Sequence, residues 1–282
     1  MRDSSGASQT SQPGQHSQYS QRLLVFGAHP DDAEFHCGAL MLKHAAAGHG
    51  IHLISATDGS AGHQQLGRQE LAKRRLEEAR DSAQILGAQV EVWPFKDGEL
   101  LPSLELRLEI IGALSRIRPH LVITPRLYDY HPDHRALAQA VQDACYLVRV
   151  PNVLPHIPAL DRDPVVAYCG DLFDRPVPLR ADVVLDCSAR LNDIADLLAC
   201  HASQVFEWLP YTLGLLDEVP VEPARRQAWL KQFFSRRTRA LAHRFAPHLS
   251  HAEVYEISEY GQQPSAETCS TLFCHAVTPD LQ

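Results

Sequence analysis

Four short apolar-rich runs, each followed by a breaker-poor stretch of helical character, set what this chain can fold into. The runs are Leu23-Leu24-Val25-Phe26, Ile51 to Ala56, Val90-Glu91-Val92-Trp93 and Leu121-Val122-Ile123-Thr124. The stretches between and after them are Glu34 to Ala47, Leu66 to Leu86, Leu104 to Ile117 and Arg135 to Val148. Gly48, Gly87 and Pro119 close the first three, and glycine or proline just past a periodic segment is a usual helix stop. Apolar runs of this length suit strands buried on both faces, and their alternation with helices suits βαβ units. The alternation predicts an α/β fold, a Rossmann-like three-layer αβα sandwich with a mainly parallel sheet.

Two turns at the ends of predicted strands carry chemistry. The first run leads into Ala28-His29-Pro30-Asp31-Asp32-Ala33-Glu34, and the fourth into His131-Pro132-Asp133-His134. Open α/β sheets place their ligand chemistry at such strand-to-helix turns. Neighbouring side chains on a turn diverge, so Asp31 and Asp32 can hold different jobs, one on a metal beside His29 and one facing a water or substrate. An Asp after Pro at a helix start is often only an N-cap. Two His/Asp turns, each at a strand's end, favour convergence on one metal instead. The first turn is not Gly-x-Gly-x-x-Gly, and its two acids would repel a pyrophosphate, which argues against a dinucleotide.

The paired motifs resemble those of the PIG-L/LmbE family of zinc-dependent N-deacetylases. Thr57-Asp58-Gly59, Arg75-x-x-Glu78 leading to Leu86-Gly87, and Cys200-His201-Ala202-Ser203-Gln204 agree with the resemblance, which extends from about Leu23 to the neighbourhood of Gly261. It implies His29, Asp32 and His134 as metal ligands and one Zn2+ per chain. Two imidazoles and a carboxylate suit zinc, and Fe2+ also fits such a set. It further implies Asp31 as general base and acid, and His131 as the group that stabilises a tetrahedral oxyanion, for which an imidazolium is one form it can take. Arg75 corresponds to an arginine that contacts sugar hydroxyls; read by itself it is a surface arginine paired with Glu78. Asp133 is expected to support the turn or a histidine's second nitrogen, and Glu34 the helix start.

The implied activity is removal of an acetyl group from an N-acetylated amino sugar or glycoconjugate, a small-molecule substrate, by a homotrimer or homohexamer. Two departures point away from sugar-thiol substrates: Ser60 where the second turn often carries an acid, and Asp129 where some members carry a tyrosine. Asp129 is expected to meet a hydroxyl or cationic group of the substrate. One alternative is a same-fold metal enzyme that hydrates an unsaturated acid, although such relatives depart from His-Pro-Asp-Asp. The other is a non-catalytic α/β protein that binds a small ligand, against which the intact set of His29, Asp31, Asp32, His131 and His134 speaks.

The remaining sequence bounds the setting. A formal net charge of −8 speaks against a nucleic-acid partner. Seven cysteines without a Cys-x-x-Cys pair fit a reducing cytoplasm. Residues 1–21 are Ser/Gln-rich with no Val, Ile or Leu, and read as a disordered tail before a single domain over 22–282. They lack the apolar core of a signal peptide, and no run is long enough for a membrane span. Pro151 to Pro164 reads as a surface loop, Val165 to Tyr168 and Val183 to Asp186 as strands, and Arg175 to Arg180 as a proline-punctuated connection. Leu191 to Phe206 and Pro223 to Phe245 read as helices, Ala252 to Tyr260 as a strand, and the chain after Gln262 is weakly patterned.

Overall fold

Each of the four apolar runs forms a strand in the computed structural model, which describes residues 20–276. Strands β1 (Arg22–Gly27), β2 (Gly50–Thr57), β3 (Gln89–Phe95) and β4 (Leu121–Thr124) alternate with helices α1 (Asp32–Ala46), α2 (Arg68–Leu86), α3 (Leu104–Ile117) and α4 (Pro132–Leu147). Then come β5 (Val165–Cys169), β6 (Val183–Asp186), α5 (Leu191–Cys200), a π-helical segment over Ser203–Trp208, α6 (Leu209–Thr212), α7 (Pro223–Phe245), β7 (Ala252–Ile257) and α8 (Ala266–Leu272). The sheet order is β3-β2-β1-β4-β5-β7-β6. The first five strands run parallel, and β7 is antiparallel to both β5 and β6.

Pleating divides each strand between two cores. Leu23 and Val25 of β1 join Leu40, Ile194, Leu230 and Phe273 on the face covered by α1, α5, α7 and α8. Leu24 and Phe26 join Leu114 and Val141 on the face covered by α3 and α4. A sheet buried on both faces in this way is the three-layer α/β fold the alternation predicts. Chain order reverses between β1 and β4, so the connections leaving those two strands part and open a crevice at their carboxyl ends.

Departures from the sequence reading have local causes. Helix α4 starts at Pro132, ahead of the expected Arg135, because His131 caps it and Pro occupies its first turn. The helix expected over Leu191 to Phe206 breaks at His201 (φ −83°, ψ 51°) and resumes as the π-helical segment. Helix α8 went unforeseen: it is seven residues long, buries only Cys269 and Leu272, and is announced only by its cap, Ser265, which accepts the Thr268 N–H. The predicted tail lies almost wholly in residues 1–19, outside those described. Among the described residues no helix is long and apolar enough to cross a membrane.

One buried acid ties β7 to α1. Glu253 of β7 accepts the backbone N–H groups of Ala39 (2.6 Å) and Leu40 (3.0 Å) and the hydroxyl of Tyr255 (2.8 Å). Burial pushes its carboxyl up to about 7 despite these donors.

Candidate metal centre and cleft

The turn after β1 is tightly constrained. Asp32 Oδ2 accepts the backbone N–H of Ala28 (2.8 Å) and of His29 (2.9 Å), folding its side chain back over the strand end. A Cβ on Gly27 would lie 2.9 Å from Asp32 Cβ, so this close approach requires glycine. Asp31 has φ 144° and ψ −20°, a conformation that costs a non-glycine residue on the order of 1–3 kcal/mol. Arg75 anchors it, donating to Asp31 Oδ1 at 2.8 Å, to Pro30 O at 2.6 Å and to Gly59 O at 3.2 Å. Arg75 is 2% exposed. The pairing with Glu78 does not form: Glu78 meets Arg74 and Ser203 instead.

The turn after β4 is fixed by its own caps. His131 Nδ1 accepts the Asp133 N–H at 3.2 Å. Its lone pair therefore lies on Nδ1 and its proton on Nε2. Burial and the neighbouring His29 and His134 push its pKa down, which favours the neutral ring over the imidazolium. Asp129 accepts the His131 N–H at 2.8 Å and stands 3.0 Å from His134 Nδ1. Asp133 is fully buried, accepts from Gly98 N (2.7 Å) and Leu100 N (3.3 Å), and meets His29 Nε2 at 3.3 Å.

The two turns meet. His29 Nδ1 lies 3.6 Å from Asp32 Oδ2, His134 Nε2 lies 3.4 Å from the same oxygen, and the two ring nitrogens are 3.3 Å apart. A tetrahedral zinc with bonds of about 2.0–2.2 Å separates its ligands by about 3.4 Å, so this donor triangle fits the ion without rearrangement. The opposite nitrogen of each ring faces a carboxylate: Asp97 and Asp133 for His29, Asp129 for His134. That is the usual backing of metal-bound imidazoles.

The electrostatics run the same way. Burial alone would raise Asp32, yet His134 and His29 hold it well below the ordinary carboxylate range. Burial would lower His134, yet Asp32 and Asp129 push it up to about 10. Carboxylates crowded around two imidazoles stabilise positive charge there, which a divalent cation supplies in place of the protons. A His131 ring nitrogen also lies within 4.8 Å of donors on His29 and His134. Asp97, which no sequence motif singled out, stands 3.3 Å from His29 Nε2 and accepts the Ala61 N–H.

Beside the triangle, burial pushes Asp31 up to about 6, with Arg75 pulling it the other way. Glu34, 3% exposed, accepts from Ser82 at 2.6 Å and faces His201 at 3.2 Å, within α1 rather than in the cleft. The cleft above holds about 830 Å³, floored by His29, Asp31, His131 and His134 and walled by Tyr130, Phe173 and Trp208.

A donor triangle with a carboxylate beside it, in a crevice at the carboxyl ends of parallel strands, defines an α/β protein with a candidate catalytic metal centre. The chain belongs to the PIG-L family, whose model, described as GlcNAc-PI de-N-acetylase, matches residues 24–145. It is 34% identical over 137 residues to the diacetylchitobiose deacetylase of Thermococcus kodakarensis, a match covering 46% of this chain and about half (51%) of that enzyme. It is 32% identical over 141 residues to the uncharacterized deacetylase YaiS of Escherichia coli, covering 47% and 71% of the two chains. The solved structure of the 4-carboxy-2-hydroxymuconate hydratase of Pseudomonas putida superposes with a TM-score of 0.66 at 19% identity, covering 93% of this chain and all (100%) of that one. At that identity the likeness shows the fold alone.

Proposed function

We propose that this protein is a zinc-dependent N-deacetylase that hydrolyses the acetamide of an N-acetylated amino sugar or glycoconjugate. The carrying observation is the triangle of His29 Nδ1, Asp32 Oδ2 and His134 Nε2, with edges of 3.3, 3.4 and 3.6 Å, beside an Asp31 held in a strained conformation. Zinc at such a site supplies Lewis acidity, enough to bring the pKa of a water near 7. Fe2+ suits the same donors.

The chain's own residues do the rest. Asp31 takes a proton from the attacking water as its oxygen bonds the amide carbon. The proton passes to the nitrogen as the C–N bond breaks, leaving acetate and a free amine. His131, neutral, offers its Nε2 proton to the oxyanion that forms on the carbonyl oxygen. Asp129 and Asp133 hold the imidazoles of His134 and His29 in the tautomers that turn a lone pair to the centre. Arg75 fixes Asp31; contact of Arg75 or Asp129 with the sugar is part of the proposal, as is assembly into a trimer or hexamer.

The test is acetate release from N-acetylglucosamine, its oligomers and its glycosides, with zinc content measured on wild type, Asp31→Asn and His134→Ala. Asp31→Asn is expected to keep its zinc and lose turnover by about 10²–10⁴, and His134→Ala to lose one zinc. A wild type that loses no zinc on His134→Ala overturns the proposed centre. Water addition to an unsaturated acid without acetate release overturns the deacetylase reading in favour of the hydratase.

A further inference from the structure

Far from the cleft, the last turn of α1 and the end of α8 bring three metal-ligating side chains together. His44 is fully buried, and its Nε2 donates to Leu272 O at 2.8 Å, so the lone pair lies on Nδ1. That atom stands 3.2 Å from His49 Nδ1. Cys274 completes a set whose ligand atoms all lie within 4.8 Å of one another. Two nitrogens about 3.3 Å apart is the separation a zinc with Zn–N bonds of about 2.0–2.1 Å imposes.

The backbone is shaped to the same end. Gly48 (φ 69°) turns the chain so that His49 comes back beside His44, its N–H bonded to His44 O at 3.0 Å. Cys274 and His275 are successive non-glycine residues at φ 50° and 61°, conformations uncommon outside glycine. They present the thiol to the pair of rings just past α8.

We propose that His44, His49 and Cys274 form a second zinc site, a three-ligand staple that ties the end of α8 to α1. Two imidazoles and a thiolate are a borderline-soft set that suits Zn2+, with a fourth position open to water. His44 lies twelve residues along α1 from Asp32, about 18 Å at 1.5 Å per residue, so the site is independent of the cleft.

Cobalt separates the two sites, because the proposed catalytic ligands include no thiolate. Titrated with Co2+, the full chain is expected to bind two equivalents, one of them with a thiolate-to-cobalt charge-transfer band. The band disappears in Cys274→Ser and in His49→Gln, both at partly exposed positions, and survives in His134→Ala. Zinc content falls from two to one per chain in Cys274→Ser while acetate release is unchanged. A wild type without the band, or a band that persists in Cys274→Ser, overturns the staple whatever becomes of the deacetylase reading.

Discussion

His131 carries two separable duties. Its Nδ1 caps α4 by accepting the Asp133 N–H, and its Nε2 proton is the oxyanion donor we propose. His131→Ala is expected to lower kcat by about 10²–10³ and to destabilise the fold by about 1 kcal/mol through the lost cap. His131→Ser keeps a capping oxygen, so its denaturation midpoint should stay near wild type while kcat falls as far. Side by side, kinetics and urea titrations of the two variants check both halves. The motif histidines and Asp32 were legible because each turn packs its donors within a few residues. Asp97 was not, since its place beside His29 depends on where β3 ends relative to β1, and no local pattern encodes that. Nor was the inward turn of Arg75: adjacent on α2, Arg74 turns outward to Glu207 and Arg75 inward to Asp31.

Helix α1 joins the turn after β1 to the antiparallel strand β7 through Glu253, and that contact makes stability depend on pH. The folded carboxyl sits at about 7 against an ordinary 4.5, so between these values the native state holds a proton that the unfolded chain has released. Its contribution is therefore full below the ordinary value and is lost as pH rises toward 7, at up to about 1.4 kcal/mol per pH unit. Glu253→Gln, which cannot ionise and keeps one acceptor oxygen for one of the Ala39 and Leu40 N–H groups, should remove that part of the slope. Urea denaturation of the two proteins at intervals from pH 5 to 8 measures it, and parallel profiles would contradict the assignment. The strands and the long helices were readable from periodicity and stop residues, with α3 and α7 matching their expected bounds. The break at His201 was not, because a π-helical turn satisfies the same apolar spacing over so short a stretch.

The core under α1 draws on residues from Leu23 to Phe273. A fragment of residues 20–160 keeps β1 to β4 but loses the α5, α7 and α8 cover of that face. Expressed alone, it is expected to show no cooperative thermal transition, whereas the full chain unfolds in one step by both near- and far-ultraviolet circular dichroism. The layered architecture was evident from the alternation of the first half; the antiparallel return of β7 was not, because strand direction is set by tertiary pairing.

The cleft divides along the chain. Every donor of the triangle, with Asp31, His131, Asp97 and Asp129, falls within residues 24–145, whereas Leu172, Phe173, Trp208, Arg236 and Ala240 line the same opening from later segments. Exchanging those later segments between relatives is expected to reshape part of the cleft wall while leaving the donor triangle in place, and a shift in substrate preference with unchanged metal content is the readout.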